Sequence, residues 1–145
     1  MQPVIQHRWN ITPNEALDLQ LRLSNLVVKE DRLGPISRIA GIDVAYHKDK
    51  DTLVASTVIV DAESLEVIEE QAWAGKASFP YVPGLFSFRE LPSISALLAN
   101  VKCRPDLIIC DGQGIAHPRR FGLASHLGVL YDIPTIGCGK SRYIG

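Results

Sequence analysis

The segment "PDLIICDGQGIAHPRRFG", Pro105 to Gly122, constrains the fold more than any other. Leu107 to Cys110 show no alternation of polar and apolar residues. A strand covered on both faces by helices reads as such a continuous apolar run, so this one belongs at the centre of an α/β sheet. The run stops on an acid, Asp111, and Gly112, Gly114, His117, Arg119 and Arg120 follow. A stiff buried strand that ends on a carboxylate fixes that carboxylate in space. Small residues beside it let a ligand or a backbone come close.

The remaining elements fit around that strand. "TPNEALDLQLRLSNLVVKED" opens with Thr12, Pro13 and Glu15, an N-cap, a first-turn proline and an acid at the third position. Leu17, Leu21, Leu23 and Val28 then recur at helical spacing, which predicts a helix over about residues 13 to 31. "SRIAGIDVAYHKD" predicts a strand over about 37 to 46. "TLVASTVIVDAESLEVIEEQAWAGK" splits at Asp61 to Ser64 into two strands, and alternation from Val67 to Trp73 marks the last as partly exposed. Short links between these three strands favour an antiparallel meander. "SFPYVPGLFSFRE" carries Pro80, Pro83 and Gly84, which exclude regular structure and leave a stiff loop. A helix over about 87 to 101, a helix in "RRFGLASHLGVLYD" and a short strand in "PTIGCGK" complete the order α-β-β-β-loop-α-β-α-β. This is an α/β mixed sheet, a three-strand antiparallel meander plus two parallel strands, with flanking helices.

The chain has 145 residues, enough for one domain spanning 1–145, with 46% apolar and 21% charged residues. Its net charge of −1 lacks the basic excess of a non-specific nucleic-acid binder. Contact with an anion must therefore come from a local cluster, for which His117, Arg119, Arg120, Lys140 and Arg142 are available. Cys103, Cys110 and Cys138 form no C-x-x-C pair, which argues against a zinc knuckle or a disulfide framework. Cys110 and Cys138 lie in apolar runs and read as small core residues. A reducing, cytoplasmic setting follows. The N-terminus has no secretory pattern and no apolar run approaches the roughly 18 residues of a membrane span. The expected form is a monomer.

Asp43 and Asp111 fall on the two strands that such a sheet can place side by side, near their carboxyl-side ends, where clefts open. Asp43, flanked by Ile42 and Val44, needs a partner in a buried strand. Glu90, at the head of the following helix, can reach the same cleft. Three neighbouring carboxylates do not all stay ionised without a cation, and a hard divalent ion resolves the repulsion. His117 suits an acid, a base or a phosphate donor. Arg119 and Arg120, at a helix start, can meet phosphate. Each residue also has a plain structural reading. Asp111-Gly112 is a common turn, Glu90 suits a first helical turn beside Arg89, and Tyr81 can pack on a core.

"AGIDVAY", "PYVPGLFSFRE", "DGQGIAHPRRFGLASHLG" and "PTIGCGK" together resemble the signature blocks of the endonuclease V family, in that family's order and over about residues 12 to 145. The resemblance implies a ribonuclease H-like fold and a magnesium-dependent endonuclease, with manganese as a substitute. The implied act is DNA repair: recognition of deoxyinosine and hydrolysis of the second phosphodiester bond 3′ to it. Asp43 and Asp111 would ligate the metal, with Glu90, His117 and Lys140 as further catalytic residues. Pro80, Tyr81, Val82 and Pro83 would form a wedge entering the duplex, and Gly84 and Gly112 would line the pocket for the flipped base. Family members continue past the last block, so a final helix is expected to be missing and the chain alone to be a poor nuclease. The alternatives are a non-catalytic nucleic-acid-binding remnant and an endoribonuclease specific for inosine in RNA. An unrelated phosphatase-like α/β domain is a third, although no C-x5-R loop is present.

Overall fold

The computed structural model describes residues 1–144. Five strands form one sheet in the order β3-β2-β1-β4-β5. The strands β1 (Arg38–Tyr46), β2 (Thr52–Asp61) and β3 (Val67–Lys76) make the antiparallel meander, and β4 (Leu107–Asp111) and β5 (Thr135–Cys138) add on in parallel. The helices are α1 (Pro13–Ser24), α2 (Phe86–Ala99) and α3 (Leu123–Tyr131). The expected element order and mixed sheet are present.

Alternation along β1 and β2 shows which face is covered. Ala40, Ile42, Leu53, Ala55 and Ile59 are buried, and with Ile108 and Cys110 of β4 they pack under α2 and α3. Leu91, Ile94, Leu97, Leu98, Leu127 and Tyr131 supply the helical side of that core. The opposite face carries Gly41, Asp43, Ser56, Val58, Ile109, Asp111 and Cys138, which line an open groove of about 530 Å³. Cys138 is therefore exposed rather than a core residue, because its register partner is Asp111 and both face the groove. Cys110 is buried as expected.

The capping box of α1 is present: Glu15 N–H donates to Thr12 Oγ1 at 3.2 Å, and Thr12 N–H to Glu15 Oε2 at 2.7 Å. The helix stops at Ser24, short of the expected residue 31. Ser24 Oγ and Asn25 Nδ2 both donate to the Leu21 carbonyl, so side chains take over where the backbone ladder would continue. The inward stripe also differs from the expected one. Ala16, Leu19, Gln20 and Leu23 are buried, whereas Leu21 and Val28 are exposed. This stripe joins Phe79, Leu85, Phe88 and Phe121 in a second apolar cluster.

A histidine pair, buried His126 and half-buried His7, ties the N-terminal segment to α3. His126 is fully buried, with Nδ1 3.0 Å from Ser87 Oγ and Nε2 3.0 Å from His7 Nε2. Aromatic rings of Trp9, Phe88 and Phe121 surround it. Burial holds His126 well below the ordinary histidine value and also lowers His7. The unfolded chain then binds protons that the folded one refuses, so this contribution to stability is complete above about pH 6.5 and is lost as pH falls below it. Glu90 acts with the opposite sign, because its raised affinity favours the protonated folded state between about 4.5 and 7. The expected outcome is that His126→Leu flattens the fall in melting temperature between pH 6.5 and 5 relative to wild type. An unchanged slope counts against the histidine pair as its source.

Candidate active site

The parallel pairing of β1 with β4 runs to Ile42 opposite Cys110, so the next residues in register are Asp43 and Asp111. Both lie on the groove side, at the carboxyl-side end of β4. Asp43 accepts from the Val44 N–H at 2.9 Å. Lys140, two residues past β5, places Nζ 2.7 Å from Asp111 Oδ2. That contact, with further attraction from Asp43 and Glu90, raises the lysine's proton affinity.

Glu90 is buried in the first part of α2. Burial pushes its carboxyl up to about 7, and the negative charges of Asp111 and Asp43 add to the shift. Tyr46 Oη is buried beside Glu90, and burial together with the Glu90 charge raises its pKa. Arg89 stacks over the Tyr46 ring, 5.5 Å from its centre. A cationic ligand near Asp43 and Asp111 would draw Glu90 back towards ionisation.

Among the described residues, no three His, Cys, Asp or Glu side chains converge into a ready metal cage. The two aspartates at one register still fit magnesium or manganese, which take oxygen donors, and magnesium keeps most of its ligands as water and substrate phosphate. Burial is the main reason that Glu90 holds its proton more tightly, and the nearby negative charges of Asp111 and Asp43 add to it.

The Pro80–Pro83 loop, the expected wedge, leads into the start of α2. Tyr81 is 71% exposed, Pro80 and Pro83 are exposed, and Val82 is half-buried against the second cluster. Phe79 and Leu85, both buried, anchor the two ends. Arg89 Nη1 donates to the Phe79 carbonyl at 2.7 Å and Nη2 to the Lys50 carbonyl. The rings of Tyr81, Phe86 and Tyr46 follow one another at 6.0 and 6.4 Å, which carries the loop towards Glu90.

His117 and Arg119 are placed differently from their expected roles. His117 is buried outside the groove, with Nε2 2.9 Å from the Gly84 carbonyl, while Nδ1 accepts from the Arg119 N–H at 3.2 Å. This pattern defines the neutral ring with its proton on Nε2. Arg119 and Arg120 precede α3 instead of starting it. The Arg119 guanidinium turns inward to Gln20 and Gly84. Gly84 and Gly112 have φ of +81° and +142°, a region that favours glycine. A Cβ on Gly112 would stand 2.9 Å from Leu123 Cδ2.

Sequence reasoning missed Tyr46 and Gln20. Tyr46 carries no local signal, since its parity on β1 sets it opposite Asp43. Gln20 does carry one: it occupies an apolar-stripe position of α1, and a buried amide requires partners.

This is an α/β domain whose paired carboxylates, Asp43 and Asp111, face one groove of its mixed sheet. The sequence model of the Endonuclease V family matches residues 21–145, and the chain belongs to that family. Endonuclease V of Nostoc sp. is 46% identical over 146 residues, covering 100% of this chain and 66% of the relative. The crystal structure of Endonuclease V from Streptomyces avermitilis superposes with a TM-score of 0.87 at 48% identity, covering 94% of this chain and 61% of that one. Endonuclease V of Ciona intestinalis, solved with a 24mer DNA containing an inosine followed by a ribo-adenosine, superposes with a TM-score of 0.81 at 30% identity. It covers 88% of this chain and 57% of that one. The chain thus spans 57 to 66% of the length of these relatives. Among the described residues, no helix is long and apolar enough to cross a membrane.

Proposed function

We propose that this domain carries the metal site and the base-recognition loops of a magnesium-dependent endonuclease acting on deoxyinosine in DNA, with manganese able to replace magnesium. The observation that carries the reading is that Asp43 and Asp111 fall at one register and on one face of adjacent strands. The scissile bond is the second phosphodiester 3′ to the lesion. The protein works as a cytoplasmic monomer, in a reducing setting where Cys103, Cys110 and Cys138 stay free.

Asp43 and Asp111 would hold the metal, which when bound would supply Lewis-acid activation at the scissile phosphate. Glu90, buried near these aspartates, would be drawn towards its ionised form by a bound cation and could then accept a proton. Lys140, 84% exposed on its side chain, is long enough to turn from Asp111 to a phosphate oxygen when nucleic acid arrives. His117 serves the site by holding Gly84, because both ring nitrogens have protein partners. Pro80, Tyr81, Val82 and Pro83 enter the duplex, and Gly84 and Gly112 line the space for the extruded base. Two prolines keep the loop stiff, so little entropy is lost when Tyr81 stacks in the gap. Extrusion is cheapest at a weak pair, which favours inosine before any hydrogen bond forms.

An inosine-RNA reading has one specific support. The Ciona relative was solved with a ribo-adenosine following the inosine.

The test is nicking of a duplex with one deoxyinosine, with and without magnesium, by this chain and by a family-length protein that contains it. Magnesium-dependent nicking supports the enzyme. Selective binding without nicking by either protein would leave only the remnant reading. A matched inosine-RNA substrate decides between the nucleic acids.

Tyr81→Ala is expected to reduce preference for the inosine duplex by roughly tenfold or more, since stacking contributes about 1–3 kcal/mol per base. Binding to undamaged duplex should change little. Equal losses on both duplexes would contradict the wedge.

A further inference from the structure

Gln20 is 1% exposed on the inward stripe of α1, and both ends of its amide are engaged. Nε2 donates to the Gly84 carbonyl at 2.9 Å and to the Phe121 carbonyl at 3.0 Å, and Oε1 accepts from Arg119 Nε. The Gly84 carbonyl collects two further contacts, from Arg119 Nη2 and His117 Nε2, each at 2.9 Å. A carbonyl oxygen offers two lone pairs, so three donors exceed what satisfying one buried group requires. The helix does not depend on these bonds for its own formation, because its cap is local and Ala16, Leu19 and Leu23 supply its apolar contact.

Gly84 closes the wedge loop, while His117, Arg119 and Phe121 belong to the loop that leaves Asp111. We propose that Gln20, Arg119 and His117 form a positioning clamp that fixes the wedge loop against the glycine-rich loop, and that selectivity for the extruded base depends on it. This rests on the reading of those loops given above. Pro80 and Pro83 stiffen the wedge internally, but its direction is set at its ends. Arg89 holds the first end through Phe79. The second end passes through Gly84 at φ +81°, where a glycine backbone has wide freedom. The three donors remove that freedom. Loosening them leaves Tyr81 on a lever, and recognition geometry degrades with displacements near 1 Å.

The test uses the 145-residue chain in EDTA, so that nothing is cleaved, with a fluorescent duplex containing one deoxyinosine and an identical undamaged duplex. Gln20→Met keeps the buried volume and removes every bond of the amide. Arg119→Leu removes the clamp from the half-exposed side, and carries the test if Gln20→Met fails to fold. Each folded variant is expected to lower the ratio of inosine to undamaged affinity by about five- to tenfold, as for residues of one hydrogen-bond network. Undamaged affinity should stay within about twofold. In a Tyr81→Ala background the same substitution should leave the ratio unmoved, because the lever has lost its tip. An unchanged ratio in the single variants, equal losses on both duplexes, or full additivity with Tyr81→Ala overturns the clamp. If wild type prefers inosine and the ratio does not move, the clamp alone fails. If wild type shows no preference, the functional reading fails and the clamp fails with it.

Discussion

Asp43→Ala and Asp111→Ala are each expected to abolish magnesium-dependent nicking in a family-length protein containing this chain. The two carboxylates occupy neighbouring positions on β1 and β4, and neither can substitute for the other from its own strand. A catalytic metal contributes several kcal/mol of transition-state stabilisation, which corresponds to roughly a thousandfold or more at about 1.4 kcal/mol per decade. Asp111→Ala also strips Lys140 of its partner at 2.7 Å and leaves that cation free to hold phosphate unproductively. Binding of the inosine duplex should therefore survive in both variants. Asp43 is exposed and Asp111 is half-buried, so neither change opens a hole in the core. The measurement is single-turnover nicking beside binding of the same duplex. Nicking by Asp43→Ala at the wild-type rate would remove Asp43 from the metal site.

Gly137→Ala is expected to cost about 2–3 kcal/mol of stability and to distort the loop beside Asp111. A Cβ at Gly137 would lie 2.3 Å from the Gly112 carbonyl oxygen and 2.7 Å from the Gly114 nitrogen. From the other side, a Cβ at Gly122 would lie 2.3 Å from the Gln113 carbonyl oxygen. The segment Gly112 to Gly114 is thus threaded between β5 and the start of α3, with bonds from Gly112 N–H to Cys138 O and from Gly122 N–H to Gly114 O. The obstructing atoms are backbone and cannot rotate away. At roughly 3 °C per kcal/mol for a domain of this size, the melting temperature should drop by about 6–9 °C. Gly34→Ala, with nothing within 4 Å, is the control and should stay near wild type. Equal melting temperatures for Gly137→Ala and wild type would show that the loop has room to shift.

Those contacts change how the glycines beside Asp111 are understood. In the sequence, Gly112 and Gly114 suggest space for a ligand. In the structure, Gly112 is needed for its φ of +142° and its closeness to Leu123, whereas a Cβ at Gly114 would make only ordinary contacts. The tightest requirement falls on Gly122 and Gly137, which meet Gly112 to Gly114 only after folding. Periodicity located the strands well, because burial on the helix-covered face imposes it directly. It misled at α1, where exposed Leu21 and half-buried Leu17 resembled a stripe and the true stripe includes Gln20. Cys138 looked like core because a short apolar run does not reveal which side of a sheet is covered. Asp43, Asp111 and Glu90 were legible since charge in an apolar strand or at a helix head stands out. The commitment of His117 to Gly84 was not, because it depends on contacts made across 33 residues of chain.

The most direct measurement is the titration of this chain with manganese, following loss of the free-ion paramagnetic signal, with magnesium as competitor. The account predicts a site that magnesium displaces and that disappears in Asp43→Ala and in Asp111→Ala while the folded spectrum is unchanged. Manganese binding of equal strength in wild type and both variants would contradict the assignment of these two aspartates as the metal centre.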